Sequence, residues 1–546
     1  MVNMFGVRSL VFGVARDFLK GDAFRRRVCG FVLTLCLIAS TNVYAQMPVL
    51  DVAGVPTIVR NSTANMHAQG DSLWVGSFLS LTTDGGNTWQ IANTDSLFDT
   101  RNSVFSIDIE GDVMWVGLGF TSTAADGGGG EASAGGFLVS TDGGQSFNYR
   151  FPQLDGSEEN TVMYGANVLE ALPVIVPQQS PPFDIDYNPV TGEVWMAGWA
   201  SGIRRSADGG ANWERVVLPP DTTDRIHPDS TYSFVIEPRR GELGWFNYLG
   251  FGVLVDETQT VWAGTVAGVN RSTPDDVTPS GERAWSRFGF DGTTNALTGN
   301  WVISIEEQPL PVRNAIWMAT WDGSDGRGPR QRFGVTVTRD GGETFEQVLV
   351  DERVFDFAFL DEKVFVAGES GLFISEDGGR SWTTVRDFFD PLQPDRIVPL
   401  DVEVLSVATT ANGDLWAGTT DGVFKSTDEG NTWSIFRVEV PPNPENPTES
   451  IPDAEVFAYP NPFSPFIDRF TRIRYELEES RNVTIQIFDY GMNLIRELSE
   501  PSLSAGVRES IWDGTDSSGL RVANGTYFYL VDTGRRSFRG KILVIE

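Results

Sequence analysis

The chain runs to 546 residues with a formal charge of −33; 40% are apolar, 12% aromatic and 21% charged. This is too long for one ordinary domain, and the aromatic content with few charges excludes a disordered chain and points to a β-rich globular one. The acidic excess repels nucleic acid and anionic lipid, so neither is expected as a partner.

At the start, Arg25-Arg26-Arg27 precede an apolar run from Val28 to Ala39, then Val43-Tyr44-Ala45 and Gln46. That order predicts a secretory signal over residues 1–45, cleaved after Ala45. The run falls short of the roughly 20 apolar residues a membrane span needs, so no transmembrane span is expected in the mature chain. Both cysteines, Cys29 and Cys36, lie inside the signal. The mature chain therefore has no disulfide, thiolate catalyst or cysteine-held metal. His67 and His227 are far apart in sequence, so no histidine metal cluster is expected either, and no cofactor. Removing the signal leaves 35 basic and 72 acidic side chains, a net charge of −37.

From Thr82 onward one octapeptide recurs, (Ser/Thr)-x-Asp-x-Gly-x-(Ser/Thr/Asn)-(Trp/Phe). Its clean copies are Thr82 to Trp89, Ser140 to Phe147, Ser206 to Trp213, Thr338 to Phe345, Ser375 to Trp382 and Ser426 to Trp433. A degenerate seventh begins at Arg271-Ser272-Thr273-Pro274-Asp275-Asp276 and resumes, after an insertion, at Ala284-Trp285. Glycine supplies the positive φ of a hairpin turn, and the Asp carboxylate (Asp84, Asp142, Asp208, Asp340, Asp377, Asp428) accepts nearby backbone N–H groups. The leading Ser or Thr adds a second local bond. The closing ring (Trp89, Phe147, Trp213, Phe345, Trp382, Trp433) opens the next strand and is expected to be buried between sheets.

Before each copy stand two apolar runs, the second reading Leu73-Trp74-Val75-Gly76, Met114-Trp115-Val116-Gly117, Val261-Trp262-Ala263-Gly264 or Leu415-Trp416-Ala417-Gly418. Each repeat thus holds four short strands, the third ending at the octapeptide's Ser or Thr. Four-stranded units repeated in this way predict an all-β chain built on a seven-bladed β-propeller over residues 46–440.

The octapeptides resemble the Asp-boxes of the BNR-repeat propellers, a group that includes sialidases, xyloglucan-hydrolysing enzymes and sortilin-type receptors. The resemblance covers about Asn61 to Val440 and implies a structural role for the Asp-box residues, at the periphery of the blades and away from the active face.

Long inserts interrupt the repeats at Phe151 to Pro181, Pro219 to Gly244, Gly289 to Asn300, Arg386 to Leu400, Phe120 to Gly135 and Trp321 to Gln331. In a propeller both loop types involved emerge on one face, as a binding or catalytic surface would. Tyr164, Trp245, Tyr248 and Trp321 are candidate stacking platforms, with Asp322, Asp325, Arg327 and Arg330 as polar partners, a set that suits a sugar or peptide. A glycoside hydrolase of the xyloglucanase kind would need two facing carboxylates, for which Asp108, Asp184, Asp186, Glu306 and Asp356 are available on predicted inner strands. The Arg-Ile-Pro stretch of sialidases is missing, since Arg225-Ile226-His227-Pro228 does not match it.

After Val440 a proline-rich linker is predicted over 441–457, followed by a small Ig-like β-sandwich over 458–546. Tyr459-Pro460-Asn461-Pro462-Phe463, Phe488-Asp489-Tyr490-Gly491, Trp512-Asp513-Gly514 and Gly525-Thr526-Tyr527-Phe528-Tyr529 resemble the Ig-like domain of flagellar hook-capping proteins. Equally, they resemble the C-terminal sorting domains of the type IX secretion system. That resemblance implies export by outer-membrane secretion machinery and a secreted or cell-surface location in a Gram-negative bacterium. The expected function is a binding module for an extracellular glycan or protein. A glycoside hydrolase and a structural or adhesion component of the envelope are the alternatives.

Overall fold

The computed structural model describes residues 53–55, 58, 60–76, 79–91, 102–123, 130–237, 245–324, 329–393, 396, 398–438, 455–465 and 468–545. The expected signal and residues 441–454 of the expected linker lie outside them.

Seven antiparallel sheets of four or five strands succeed one another up to Phe436. Their first strands are Met66–Gln69, Asn102–Glu110, Pro182–Tyr187, Gly250–Val255, Trp301–Gln308, Val354–Leu360 and Val404–Thr409. Each packs on the next, and the last on the first, so the sheets stand as blades 1 to 7 around a closed ring. A second strand sandwiched between neighbouring blades sees apolar surroundings on both faces, which is why it reads as a continuous apolar run. Every residue of Val194–Gly198, Val261–Thr265, Ala315–Trp321 and Leu415–Thr419 is buried. The third strands end at Thr82, Ser140, Ser206, Ser272, Thr338, Ser375 and Ser426, where the repeat places them.

The octapeptides fold alike. In the last, the Ser426 hydroxyl accepts the Gly430 N–H at 2.8 Å, and Asp428 accepts Thr432 N–H and hydroxyl at 2.8 and 2.6 Å. The same bonds recur at Thr82/Asp84, Ser140/Asp142, Ser206/Asp208, Thr338/Asp340 and Ser375/Asp377. In the degenerate copy Thr273 instead caps a 3-10 turn, Pro274–Asp276, through a 2.8 Å bond to Asp276. Trp89, Phe147, Phe345 and Trp433 are buried, while Trp213 and Trp382 are half-buried.

Among the described residues the ring closes without a shared strand. Thr63 N–H donates to Thr419 O at 3.0 Å, Val438 N–H to Asn61 Oδ1 at 2.7 Å and Lys425 Nζ to Gly85 O at 3.2 Å. Two blades carry a fifth, outermost strand, Ala53–Val55 on Trp89–Ile91 and Arg225–Ile226 on Trp285–Phe288. The expected insert from Phe120 to Gly135 is corrected. Val113–Thr123 and Gly130–Ser140 pair out to Thr123 and Gly130, so its described part is an extended hairpin.

The C-terminal domain has a three-stranded sheet, Val456–Tyr459, Thr471–Leu477 and Gly506–Trp512, facing a four-stranded one, Leu494–Leu503, Arg481–Phe488, Gly525–Asp532 and Ser537–Val544. Ile473, Tyr475, Ile485, Trp512, Tyr529 and Ile542 fill the core between them. Its first strand begins at Val456, inside the segment expected to be linker. The domain is bound to the propeller through buried charge. Asp421 and Arg437 of blade 7 meet Arg472, Glu509 and Tyr459, with Arg437 2.7 Å from Asp421 and 3.2 Å from Glu509. Arg472 also pairs with Asp421, and the Tyr459 hydroxyl donates to Glu509.

Candidate functional site

The four aromatics expected as platforms prove to be packing residues. Tyr164 and Tyr248 are buried, and their hydroxyls donate to Arg283 O at 3.0 Å and Leu218 O at 3.1 Å. Trp321 ends the second strand of blade 5, where its Nε1 donates to Val354 O at 2.8 Å and the Arg353 guanidinium lies 4.0 Å from its ring centre. Trp245 packs on the same apolar cluster as both tyrosines. The physical reason is common to all: in these inserts the loops fold back on the blades, and the large rings supply the apolar surface that holds them down. Asp322 is half-buried and accepts the Ser324 N–H at 2.8 Å, a local turn bond. Arg330 is exposed, and Arg327 and Asp325 lie outside the described residues.

The inner-strand carboxylates do converge. Asp108 accepts the Tyr187 N–H at 2.6 Å, Asp184 the Val253 N–H at 2.9 Å, Asp186 the Val255 N–H at 3.1 Å and Asp356 the Val407 N–H at 3.0 Å. In every case the donor is the inner strand of the next blade, so these side chains tie blade to blade. Burial pushes Asp108 up to about 6 and Asp184 and Asp356 up to about 7. Asp186 and Glu306 are raised by burial and then by the other carboxylates, Asp108 for the first and Asp356 for the second.

Each inner strand of blades 2 to 7 contains a β-bulge, which in blades 2, 3, 5 and 6 comes just before these carboxylates. The extra residues are Phe105, Phe183, Phe251, Ile303, Phe355 and Leu405. Phe105 and Phe183 lie 5.9 Å apart, and Phe183 and Phe251 5.3 Å, so bulge residues of successive blades touch. Sequence reasoning missed this feature. Its only signal is a large apolar residue shortly before an inner-strand acid, present in blades 2, 3, 5 and 6 and missing after Phe251 and Leu405.

A cavity of about 510 Å³ lies away from the ring axis, at the outer edge of blade 3. One wall is the outermost strand of that blade, Glu214–Arg215, continued by Val216 and Val217. The other is Thr161–Tyr164, the first strand of a hairpin with Asn167–Glu170 that folds out of the Phe151 to Pro181 insert. Ser280 to Arg283, in the insertion that disrupts the seventh octapeptide, close one end, and Trp195, Trp213 and Trp285 add apolar surface. The hairpin is held to that insertion by the Gly165 N–H bond to Glu282, 2.7 Å, as well as by Tyr164. A Cβ on Gly165 would collide with Pro228 O at 1.9 Å, so glycine is required for the hairpin to close on the Pro219 to Gly244 insert.

Charge within the cavity is arranged in two groups. Asp155 binds Arg204 at 2.6 Å and also pairs with Arg215; opposing its burial, the Arg204 guanidinium holds its carboxyl below the usual range. Arg205 and Arg283 lie 5.9 and 5.4 Å from the centre of the Trp195 ring. Arg205 is paired with Glu193 and Glu214, but Nη1 of Arg283 is buried without a hydrogen-bond partner. The site thus offers apolar ring surface and strand backbone, with three buried donors behind its walls left without a hydrogen-bond partner, Arg283 Nη1, Trp195 Nε1 and Trp213 Nε1. Of the residues predicted from the sequence to contact a ligand only Tyr164 lines it, beside the octapeptide ring Trp213.

Among the described residues no group of three or more His, Cys, Asp or Glu is placed to hold a metal ion, and no helix is long and apolar enough to cross a membrane.

No curated protein matches the chain in sequence. Among solved structures it is similar to PorZ, a surface component of the type IX secretion system of Porphyromonas gingivalis, at 15% identity over 88% of this chain and 70% of that one, with a TM-score of 0.36. It is similar to YCF48 from Cyanidioschyzon merolae at 18% identity over 68% of this chain and 97% of that one, TM-score 0.38. A third similar structure is an ancestral GH74 enzyme, at 13% identity over 89% and 78% of the two chains, TM-score 0.32. Residues 470–536 match the family model of the FlgD Ig-like domain, and the chain is an all-β protein that joins a β-propeller to this Ig-like domain.

Proposed function

We propose that the chain is an exported binding module, secreted or held at the cell surface of a Gram-negative bacterium, whose propeller takes an extracellular glycan or protein. The mature protein begins after the signal at 1–45, and the Ig-like domain serves its sorting or attachment through outer-membrane secretion machinery. The observation that carries the reading is the cavity at the edge of blade 3, where the rings of Trp195, Trp213 and Trp285, strand backbone and Arg283 line one space of about 510 Å³. Concave sites of roughly 300–1,000 Å³ with few, placed polar groups are what small ligands and peptide segments occupy. The inner-strand carboxylates support this reading over hydrolysis, because four of them are spent on backbone N–H groups of the next blade.

An array of glycans and peptides probed with the whole mature chain tests it, with released sugar assayed by mass spectrometry in the same wells. Saturable binding without release is the expected result. Release of sugar would replace the reading with a glycoside hydrolase, and an array with no binder at all would leave a structural envelope component.

A further inference from the structure

Blades 1 and 4 show what covers an outermost strand in this molecule: one more strand, laid on by a neighbouring segment. The outermost strand of blade 3, Glu214–Arg215, pairs with Gly202–Ser206 and has no strand on its other side among the described residues. Facing it across the cavity is a second edge. Thr161–Tyr164 pairs with Asn167–Glu170 on one side, and it is the four residues of the first strand, not those of the second, that line the cavity.

Hydrogen-bond parity gives the direction of the backbone groups. In an antiparallel ladder bonded and non-bonded pairs alternate, and the residues of non-bonded pairs turn their N–H and C=O outward. Val216 N–H donates to Ile203 O at 3.0 Å, so Glu214 and Val216 bond within blade 3, while Arg215 and Val217 turn outward. Ala171 N–H donates to Asn160 O at 2.8 Å, so in the hairpin Thr161 and Met163 turn outward. Two unextended edges therefore border one cavity, and an unpaired edge is where an incoming strand adds.

The side chains set the chemistry of the occupant. Arg204 and Arg215 are committed to Asp155, and Glu282 to the Gly165 N–H. Arg283 is held on Trp195 with its buried Nη1 unpaired, a donor that is costly to leave unsatisfied. Resting on the reading of this cavity as the binding site, we infer that it takes an extended peptide segment of a partner protein as an added strand between Thr161–Tyr164 and Glu214–Val217, with an acidic side chain of that segment on Arg283.

Selection of a phage-displayed random twelve-residue library on the whole mature chain tests this. The enriched peptides are expected to carry an acidic residue, to lose at least tenfold in affinity when alternate amides are N-methylated, and to lose as much on Met163→Pro, which removes one outward N–H from an exposed position. Arg283→Met should weaken the acidic peptides about tenfold and leave their amide counterparts unchanged. If Met163→Pro melts early, amide exchange on the wild-type chain replaces it, with Met163 and Val217 slowed by the peptide. Peptides that bind N-methylated and unmethylated alike, or a library that yields none, would overturn the inference. Glycan binding that persists in that case leaves the binding module standing, whereas loss of both defeats the two readings together.

Discussion

Gly144, the second glycine of the octapeptide in blade 2, lies against the indole of Trp74 in blade 1, where a Cβ would stand 2.5 Å from Cζ2. Gly210 meets Trp115 and Gly379 meets Trp317 in the same way, each one blade back. The octapeptide is therefore more than a turn. Its Asp and Ser fold the loop locally, and its second glycine lets that loop sit on the second-strand tryptophan of the preceding blade.

Gly144→Ala should accordingly cost more than its backbone alone. Its φ of +82° carries the left-handed penalty of about 1–2 kcal/mol, and overpacking against Trp74 adds roughly 1–3 kcal/mol. Gly209→Ala, at φ +68° with nothing within 4 Å, should show only the first part. Urea unfolding of the two variants checks the difference. Equal losses would contradict the inter-blade role.

Stability should rise on mild acidification. A carboxyl whose folded pKa is raised binds its proton more tightly when folded, so its contribution is complete below the ordinary value of 3.8 and lost as pH climbs through about 6 to 7, where Asp108, Asp184 and Asp356 titrate. The octapeptide carboxylates act oppositely. Asp377, held at about 2 by bonds from Ser381, contributes above 3.8, and that contribution is lost as pH falls toward 2. The melting temperature should therefore be higher near pH 5 than near pH 8 and fall again below about pH 3. Asp184→Asn should flatten the upper limb. A melting temperature that climbs from pH 5 to pH 8 would contradict the assignment.

The Ig-like domain should stay with the propeller after the chain between them is cut. A protease site placed within residues 441–454, followed by cleavage, should give two pieces that co-elute in gel filtration. Asp421→Ala removes one of the two carboxylates that Arg437 and Arg472 share and leaves Glu509 alone against two buried guanidinium groups, a change of about 3–5 kcal/mol, and should release the domain. Separation of the wild-type pieces on cutting would show that the buried charges do not hold the junction.

What was legible in the sequence was whatever repeats. The octapeptide, the Trp-bearing second strand and the third strand ending at Ser or Thr are local patterns, and seven third strands end where the repeat places them. The inner-strand bulges were illegible because one added residue leaves an apolar run apolar. Tyr248 and Trp321 pack on the blades instead of lining the cavity, because a ring that pins a loop and a ring that awaits a ligand have the same local sequence. The cavity could not be read at all, since its walls come from residues 155–164, 195–217 and 280–285, brought together only by the folding back of two inserts. In the C-terminal domain Leu494–Leu503 has no clear signal in the sequence, because its exposed, charge-bearing stretch breaks the apolar alternation.

One titration series locates the binding site. The whole chain, the Thr161→Trp variant and the Asp186→Asn variant are titrated with the tightest binder from the glycan and peptide array. Thr161 is exposed at the wall of the cavity, so the tryptophan obstructs it without entering the core, whereas Asp186 faces the carboxylates of the ring. A loss of at least tenfold in affinity is expected for Thr161→Trp and an unchanged value for Asp186→Asn. Undiminished binding by Thr161→Trp, with loss in Asp186→Asn, would contradict that expectation and move the site to the ring axis.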